Sequence, residues 1–256
     1  LAFWYLKIAP ALMRDYRVTL YDLRGHGGSG MPASGYTTED MATDLDALLD
    51  EIGIAQAHLV GHSYGGAVAL HYALNHPDRV VSLTLADTRI RDLQPTQRLQ
   101  DWPNAEAWKK RLEELKSSVS LDDPEMGYRL LEIMAKAKLT GYEGRNPVDA
   151  QFSPFWLSRK TSRTAERWLR LINTTTAWRD FQRESGLTTE NISRVREPVL
   201  AMYGELSNCL PSCRGLKRHL LDCRVVIVPR VGHFHPMVRP AFFIRNLRSF
   251  LRQVPS

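Results

Sequence analysis

The chain has 256 residues, enough for one large domain or a domain carrying an insertion, and its 43% hydrophobic and 24% charged residues are ordinary for a globular fold. It contains no run of about 18 apolar residues that could span a membrane, and no secretory leader pattern is visible, so the expected compartment is the cytoplasm. The net charge of +6 is uneven, with nine Lys or Arg and a single acid, Asp222, between Leu206 and Ser256; the excess forms a solvated face or a surface for an anionic partner, and without a helix-turn-helix, RNP-type or zinc-finger pattern it does not point to nucleic acid.

In chain order, Arg17–Leu23 (RVTLYDL) has strand composition and ends in the glycine-rich turn Arg24–Gly30. A helix follows over Thr37–Ile52, with Thr38 and Asp40 as N-terminal caps and Met41, Leu45, Leu48, Leu49 and Ile52 at helical spacing. Ala57–Val60 reads as a strand, Gly66–Asn75 as a helix stopped by His76-Pro77, and Val80–Ala86 as a third strand. The span 88–191 breaks this rhythm. It holds no good strand, has helical stretches at Asn104–Leu115, Pro124–Leu139, Thr164–Asn173 and Thr176–Glu184, and carries Trp102, Trp108, Trp156, Trp168 and Trp178, five of the six tryptophans. Strands resume at Pro198–Tyr203 and Val225–Val228, with a helix over Cys213–Leu221 between them and another over Phe242–Leu251 at the end. Alternation of this kind predicts an α/β protein with a mostly parallel, doubly wound sheet. The expected domain organisation is a core from 1–88 and 190–256, with 89–189 as an inserted helical cap over the sheet's carboxyl edge. Cys209, Cys213 and Cys223 are odd in number and lack a nearby His pair, which predicts free thiols and no metal.

One short stretch carries most of the chemistry. In AHLVGHSYGGAV, Gly61-His62-Ser63-Tyr64-Gly65 falls where a strand turns into a helix. A serine on such a tight turn projects its hydroxyl above the sheet, and the helix N-terminus behind it offers free N–H groups to a developing oxyanion. DLRGHGGSG, LVGHSYGG, NHPDRVVSLTLAD and VPRVGHFHP together resemble the α/β-hydrolase superfamily, and within it cap-bearing esterases, lactonases, carbon–carbon hydrolases and dehalogenase relatives. The resemblance covers residues 1–88 and roughly 190–256. It implies an α/β-hydrolase fold, a Ser–acid–His triad in that chain order, and no cofactor.

A serine hydroxyl needs a base. The resemblance places the triad histidine at His233, with His235 two residues on as the alternative; His62 and His26 resemble structural positions. For the acid the sequence departs from the common pattern. The position after Val199–Tyr203 where many relatives carry a carboxylate is Ser207. Two carboxylates remain: Asp87, at the end of the strand after the elbow helix, where some cap-bearing relatives place their acid, and Glu205, close to the usual place. The oxyanion donors expected are the backbone N–H of Tyr64 and one from an earlier loop. The resemblance puts that loop upstream of Leu1, together with a strand lying between Arg17–Leu23 and Ala57–Val60, so an upstream segment of some tens of residues is expected.

The function expected on this reading is a serine hydrolase of the carboxylic-ester type, acting on an ester, lactone or thioester through an acyl-enzyme, with carbon–carbon hydrolysis open to the same triad. Its substrate is expected to be a small, largely apolar molecule held under the Trp-rich cap. An acyl carrier protein is the partner that would suit the basic C-terminal surface. The alternative of a different class is a non-catalytic ligand-binding protein or receptor on the same fold.

Overall fold

The apolar runs of the sequence assemble into one parallel sheet in the computed structural model, which describes residues 4–141, 162–183 and 185–254. Its strands are β1 (Ala57–His62), β2 (Val80–Ala86), β3 (Val199–Gly204) and β4 (Cys223–Val228), side by side in that order. Every pairing is parallel, for instance Gly61 with Leu85, Leu85 with Ala201 and Ala201 with Val225. The two inner strands are buried nearly throughout, as their continuous apolar sequence requires, while β1 and β4 are partly exposed.

Helices cover both faces. Ahead of the sheet run a π-helical turn (Trp4–Ile8), α1 (Ala9–Leu12) and α2 (Thr38–Glu51); α3 (Tyr64–Asn75) links β1 to β2. The connection from β2 to β3 carries a 3₁₀ turn (Leu99–Asp101) and the helices α4 (Ala105–Glu114), α5 (Met126–Leu139), α6 (Ser162–Thr174), α7 (Ala177–Asp180) and α8 (Thr189–Ile192). Then α9 (Leu210–His219) joins β3 to β4, and α10 (His235–Val238) and α11 (Pro240–Leu251) close the fold. On one face α2, α3 and α9 bury Leu45, Leu70, Tyr72 and Leu216 against Leu83, Leu85 and Ala201. On the other α1 and α11 bury Leu12, Phe243 and Leu247 against Ala86, Leu200 and Met202. The β2–β3 connection has an apolar cluster of its own, in which α4, α5 and α6 gather Trp108, Leu112, Leu130, Met134 and Ala165. A fourth cluster, with Tyr36, Val68, Leu171 and Phe181, ties that connection to α2 and α3. Among the described residues no helix is long and apolar enough to cross a membrane.

Two expectations change. Arg17–Leu23 is not a strand: no sheet neighbour lies beside it among the described residues, and composition alone does not make a strand without one. It is held instead by side chains, with Val18 and Tyr21 packed against the two opposite core clusters and Ser29 Oγ donating to the Asp22 carbonyl. The cap of α2 is Thr37 rather than Thr38: its hydroxyl accepts from Asp40 N, and Asp40 Oδ2 accepts from Thr37 N at 3.0 Å, closing a capping box. Thr38 Oγ1 lies 2.9 Å from His71 Nδ1 inside the core. Trp156 and Glu184, and residues 1–3, lie outside the described residues.

The turn from β1 into α3 depends on two glycines. A Cβ on Gly61 would lie 2.3 Å from Gly65 O and 2.5 Å from Gly66 Cα, and one on Gly66 would lie 1.9 Å from Thr88 Oγ1. Gly65 is different, since a Cβ there would meet only Leu23 Cδ1, at 4.0 Å. Gly61→Ala should therefore cost about 2–3 kcal/mol in urea unfolding through forced separation of strand and helix. Gly65→Ala should leave the midpoint unchanged or raise it slightly, because alanine is about 1 kcal/mol better than glycine within a helix.

Candidate active site

Ser63 stands between β1 and α3 with φ 56° and ψ −126°, a conformation that costs a non-glycine residue about 1–3 kcal/mol and persists only where its surroundings enforce it. The enforcement is visible: Ser63 N donates to Ala86 O at 2.9 Å, and Gly66 N donates to Ser63 O at 3.0 Å. Because α3 begins at Tyr64, the N–H of Tyr64 is among those with no acceptor within the helix. The side chain of Tyr64 is anchored separately, its hydroxyl donating to Tyr36 O at 2.8 Å.

The loop after β4 brings His233 to this turn, with Nε2 3.0 Å from Ser63 Oγ. Its other nitrogen, Nδ1, lies 3.4 Å from Asp87 Oδ1. Asp87 follows β2 directly, has φ 50°, and is fully buried. The sequence-predicted serine, histidine and first-choice acid thus form one continuous chain of polar contacts. Glu205 does not join it; that side chain is exposed, and its Oε2 accepts from Arg230 N at 2.8 Å.

Three further contacts hold the buried carboxylate. Gly204 N donates to Asp87 Oδ2 at 2.8 Å, Ser207 Oγ donates to Oδ1, and His235 Nε2 lies 3.4 Å from Oδ2. Ser207, the residue standing where a carboxylate was expected, is therefore a donor to Asp87. His235, weighed in the sequence as an alternative base, is fully buried, does not face Ser63, and donates from Nε2 to Met202 O at 2.9 Å. His62 Nε2 lies 2.8 Å from His233 O and helps fix the loop that carries His233. Neither the Ser207 contact nor the His235 contact had a sequence signal beyond proximity to the motifs.

Burial sets the protonation of the group. It pushes His233 down to about 4, so the imidazole is neutral at ordinary pH. It pushes Asp87 up to about 7, against the opposing pull of His235, Ser207 and Gly204. Cys209, buried with Sγ 3.8 Å from His233 Nδ1, is held as the thiol, its pKa raised by burial and by Asp87. Asp87, Cys209 and His233 are a set of metal-capable donors within 4.8 Å of one another among the described residues. Their atoms are already committed, Asp87 to Ser207 and Gly204, His233 to Ser63, and Cys209 Sγ to Gln97 Nε2 at 3.4 Å. All three cysteines are free and buried.

A cavity of about 390 Å³ opens onto Ser63 and His233. Its floor is the Gly25–Gly27 turn and Tyr64, and its roof comes from Tyr128 of α5, Trp168 of α6 and Phe181 just after α7. Trp168 stacks on Phe181 with centroids 6.0 Å apart, whereas Trp102 and Trp108 pack edge to face away from the cavity at 6.2 Å.

Comparison with known proteins agrees with the architecture. The family described as alpha/beta hydrolase fold matches residues 1–240. A 2-(acetamidomethylene)succinate hydrolase of Mesorhizobium japonicum is 29% identical over 234 residues, 90% of this chain and 76% of that protein. A fluoroacetate dehalogenase of Burkholderia sp is 40% identical, but over 88 residues, so the chain spans only 29% of that relative's length. Among solved structures, the enol-lactonase of Burkholderia xenovorans superposes with a TM-score of 0.64 at 22% identity, over 99% of this chain and 87% of that one.

The buried histidines make stability pH-dependent. His62, His233 and His235 fall from an ordinary 6.5 to about 3, 4 and 4 through burial, so each contributes stability that is present above pH 6.5 and lost as pH falls toward the folded value. Asp87, raised from 3.8 to about 7, acts in the opposite sense between those values. Burial lowers His26, His58 and His71 as well, so the histidines outweigh the one carboxyl and unfolding takes up protons near pH 5. The urea midpoint should drop steadily from pH 6.5 to pH 4.5; a flat profile would contradict these assignments.

Proposed function

Because the chain belongs to the alpha/beta hydrolase fold family, we propose that it is a serine hydrolase cleaving a small ester, lactone or thioester through Ser63, His233 and Asp87. The observation that carries this reading is the strained turn that holds Ser63 Oγ 3.0 Å from His233 Nε2, with Asp87 behind the ring. Neutral His233 accepts the hydroxyl proton at Nε2 as Ser63 Oγ attacks the substrate carbonyl carbon. Asp87 receives Nδ1–H, which fixes the tautomer and stabilises the imidazolium that forms. The oxyanion draws on the Tyr64 N–H at the start of α3. His233 then returns the proton to the leaving oxygen or sulfur, leaving an acyl-Ser63. Water, deprotonated by the same nitrogen, attacks the acyl carbon; the acid leaves and Ser63 regains its proton.

On this reading residues 89–189 form the cap, whose Tyr128, Trp168 and Phe181 enclose the substrate above the nucleophile. Side chains of the β2–β3 connection and of the core loops around Gly25, Ser63 and His233 thus contribute to one cavity. The apolar roof fits a small, largely hydrophobic substrate.

A fluorophosphonate probe should label Ser63, seen by peptide mass, and Ser63→Ala should abolish labelling. Asp87→Asn should lower kcat/KM on p-nitrophenyl esters by about 10³–10⁴, while Glu205→Gln should stay within about threefold, since the exposed Glu205 side chain accepts from Arg230 N and does not reach His233. An unlabelled, inactive protein that still binds ligands would support the non-catalytic alternative.

A further inference from the structure

The cavity over Ser63 carries a charge that the proposed reaction does not use. Arg163 and Arg167, one turn apart on α6, both line it, and no Asp or Glu does among the described residues. Neither has a carboxylate within 4 Å there, in contrast with Arg24, which is paired with Asp44, or Arg89 and Arg91, which are paired with Glu125. Arg167 is fixed by main-chain acceptors instead: Nε donates to Gly25 O at 2.9 Å and Nη2 donates to Ser29 O. These bonds hold the guanidinium against the glycine-rich turn and cancel none of its charge. Arg163 is exposed and makes no hydrogen bond among the described residues. The one acid between them in sequence, Glu166, is exposed and does not line the cavity, and next to Arg167 stands Trp168, whose buried Nε1–H has no acceptor among the described residues.

A guanidinium stays protonated at any ordinary pH. Two of them facing a cavity that no described acid lines leave a positive potential that an uncharged ester would not satisfy. A planar carboxylate matches the guanidinium fork and supplies the acceptors these donors lack. We infer that Arg163 and Arg167 form a carboxylate subsite, and that the natural substrate is a small ester or lactone bearing a second, free carboxylate that docks under α6 while its carbonyl faces Ser63. Arg167 is the preorganised member of the pair and Arg163 the exposed one. The inference rests on the hydrolase reading for the identity of the scissile group, but the subsite itself can be tested without turnover.

The test is calorimetric titration of the Ser63→Ala protein with monomethyl glutarate and with dimethyl glutarate, which differ in the free carboxylate. At low salt the half-ester should bind at least about tenfold more tightly, and 0.5 M NaCl should erode that preference because the attraction is electrostatic. Arg163→Gln, at an exposed position that should not disturb folding, should reduce the preference at least threefold; Arg167→Gln should reduce it further. Equal affinity for the two esters, or binding of neither, overturns the inference, as does an Arg163→Gln and Arg167→Gln pair that leaves the preference intact. Failure of the hydrolase reading would appear separately, as absence of fluorophosphonate labelling in the unsubstituted protein while the calorimetric preference persists.

Discussion

The structure is organised around a buried carboxylate. Asp87 has no solvent exposure, and a charge there is tolerable only with near-complete hydrogen bonding. Its partners come from separate parts of the chain: Gly204 at the end of β3, Ser207 in the loop before α9, His233 in the loop after β4, and His235 at the start of α10. Satisfying Asp87 therefore requires β2, β3 and β4 to be in register, with their carboxyl ends level. The same register places Ala86 O where it accepts the N–H of Ser63. One electrostatic requirement thus couples the sheet's topology to the conformation of the turn that bears the nucleophile candidate.

The turn is a second, steric constraint that reinforces the first. Gly61 and Gly66 allow α3 to descend onto β1 and β2, and Thr88, one residue beyond Asp87, fills the space against Gly66. Strain at Ser63 and Asp87, both at positive φ, is borne by a core whose inner strands are almost wholly buried. Strained residues in such a setting are held because the surroundings over-determine them. That the two strained non-glycine residues at the carboxyl ends of β1 and β2 are also the two ends of the Ser63–His233–Asp87 chain gives a physical reason to read the strain as part of a site.

Much of the fold could be read from the sequence, for a specific reason. The β2 run VVSLTLA and the β3 run VLAMYG are apolar on both faces, a pattern that only a sheet covered on both sides explains, and their boundaries came out within a residue. Arg17–Leu23 has similar composition yet forms no strand, because a strand is defined by its neighbour, and neighbours are not local information. The acid was ambiguous for the same reason. Asp87 and Glu205 both follow sheet strands and both stand beside a motif. What separates them is burial and the contact of Asp87 with Ser207, 120 positions away in the chain, which no local pattern reports. The helix cap differed by one residue, Thr37 for Thr38, because adjacent threonines are equivalent until the backbone decides which one lies outside the helix.

The cavity shows how the long β2–β3 connection can alter chemistry without touching the polar chain beneath it. Ser63, His233 and Asp87 are fixed by the sheet and its loops, whereas Tyr128, Trp168, Arg163 and Arg167 all come from helices within the connection. Those helices pack around their own cluster, Trp108, Leu112, Met134 and Ala165, so their core is largely independent of the sheet's. Arg167 is one of the links between the two layers, donating across to Gly25 and Ser29 in the turn that floors the cavity. A side chain that both docks the roof and lines the cavity makes the cavity's charge depend on how the roof is seated. Substitutions that shift α6 should for that reason reshape the cavity before they disturb the contact between Ser63 and His233.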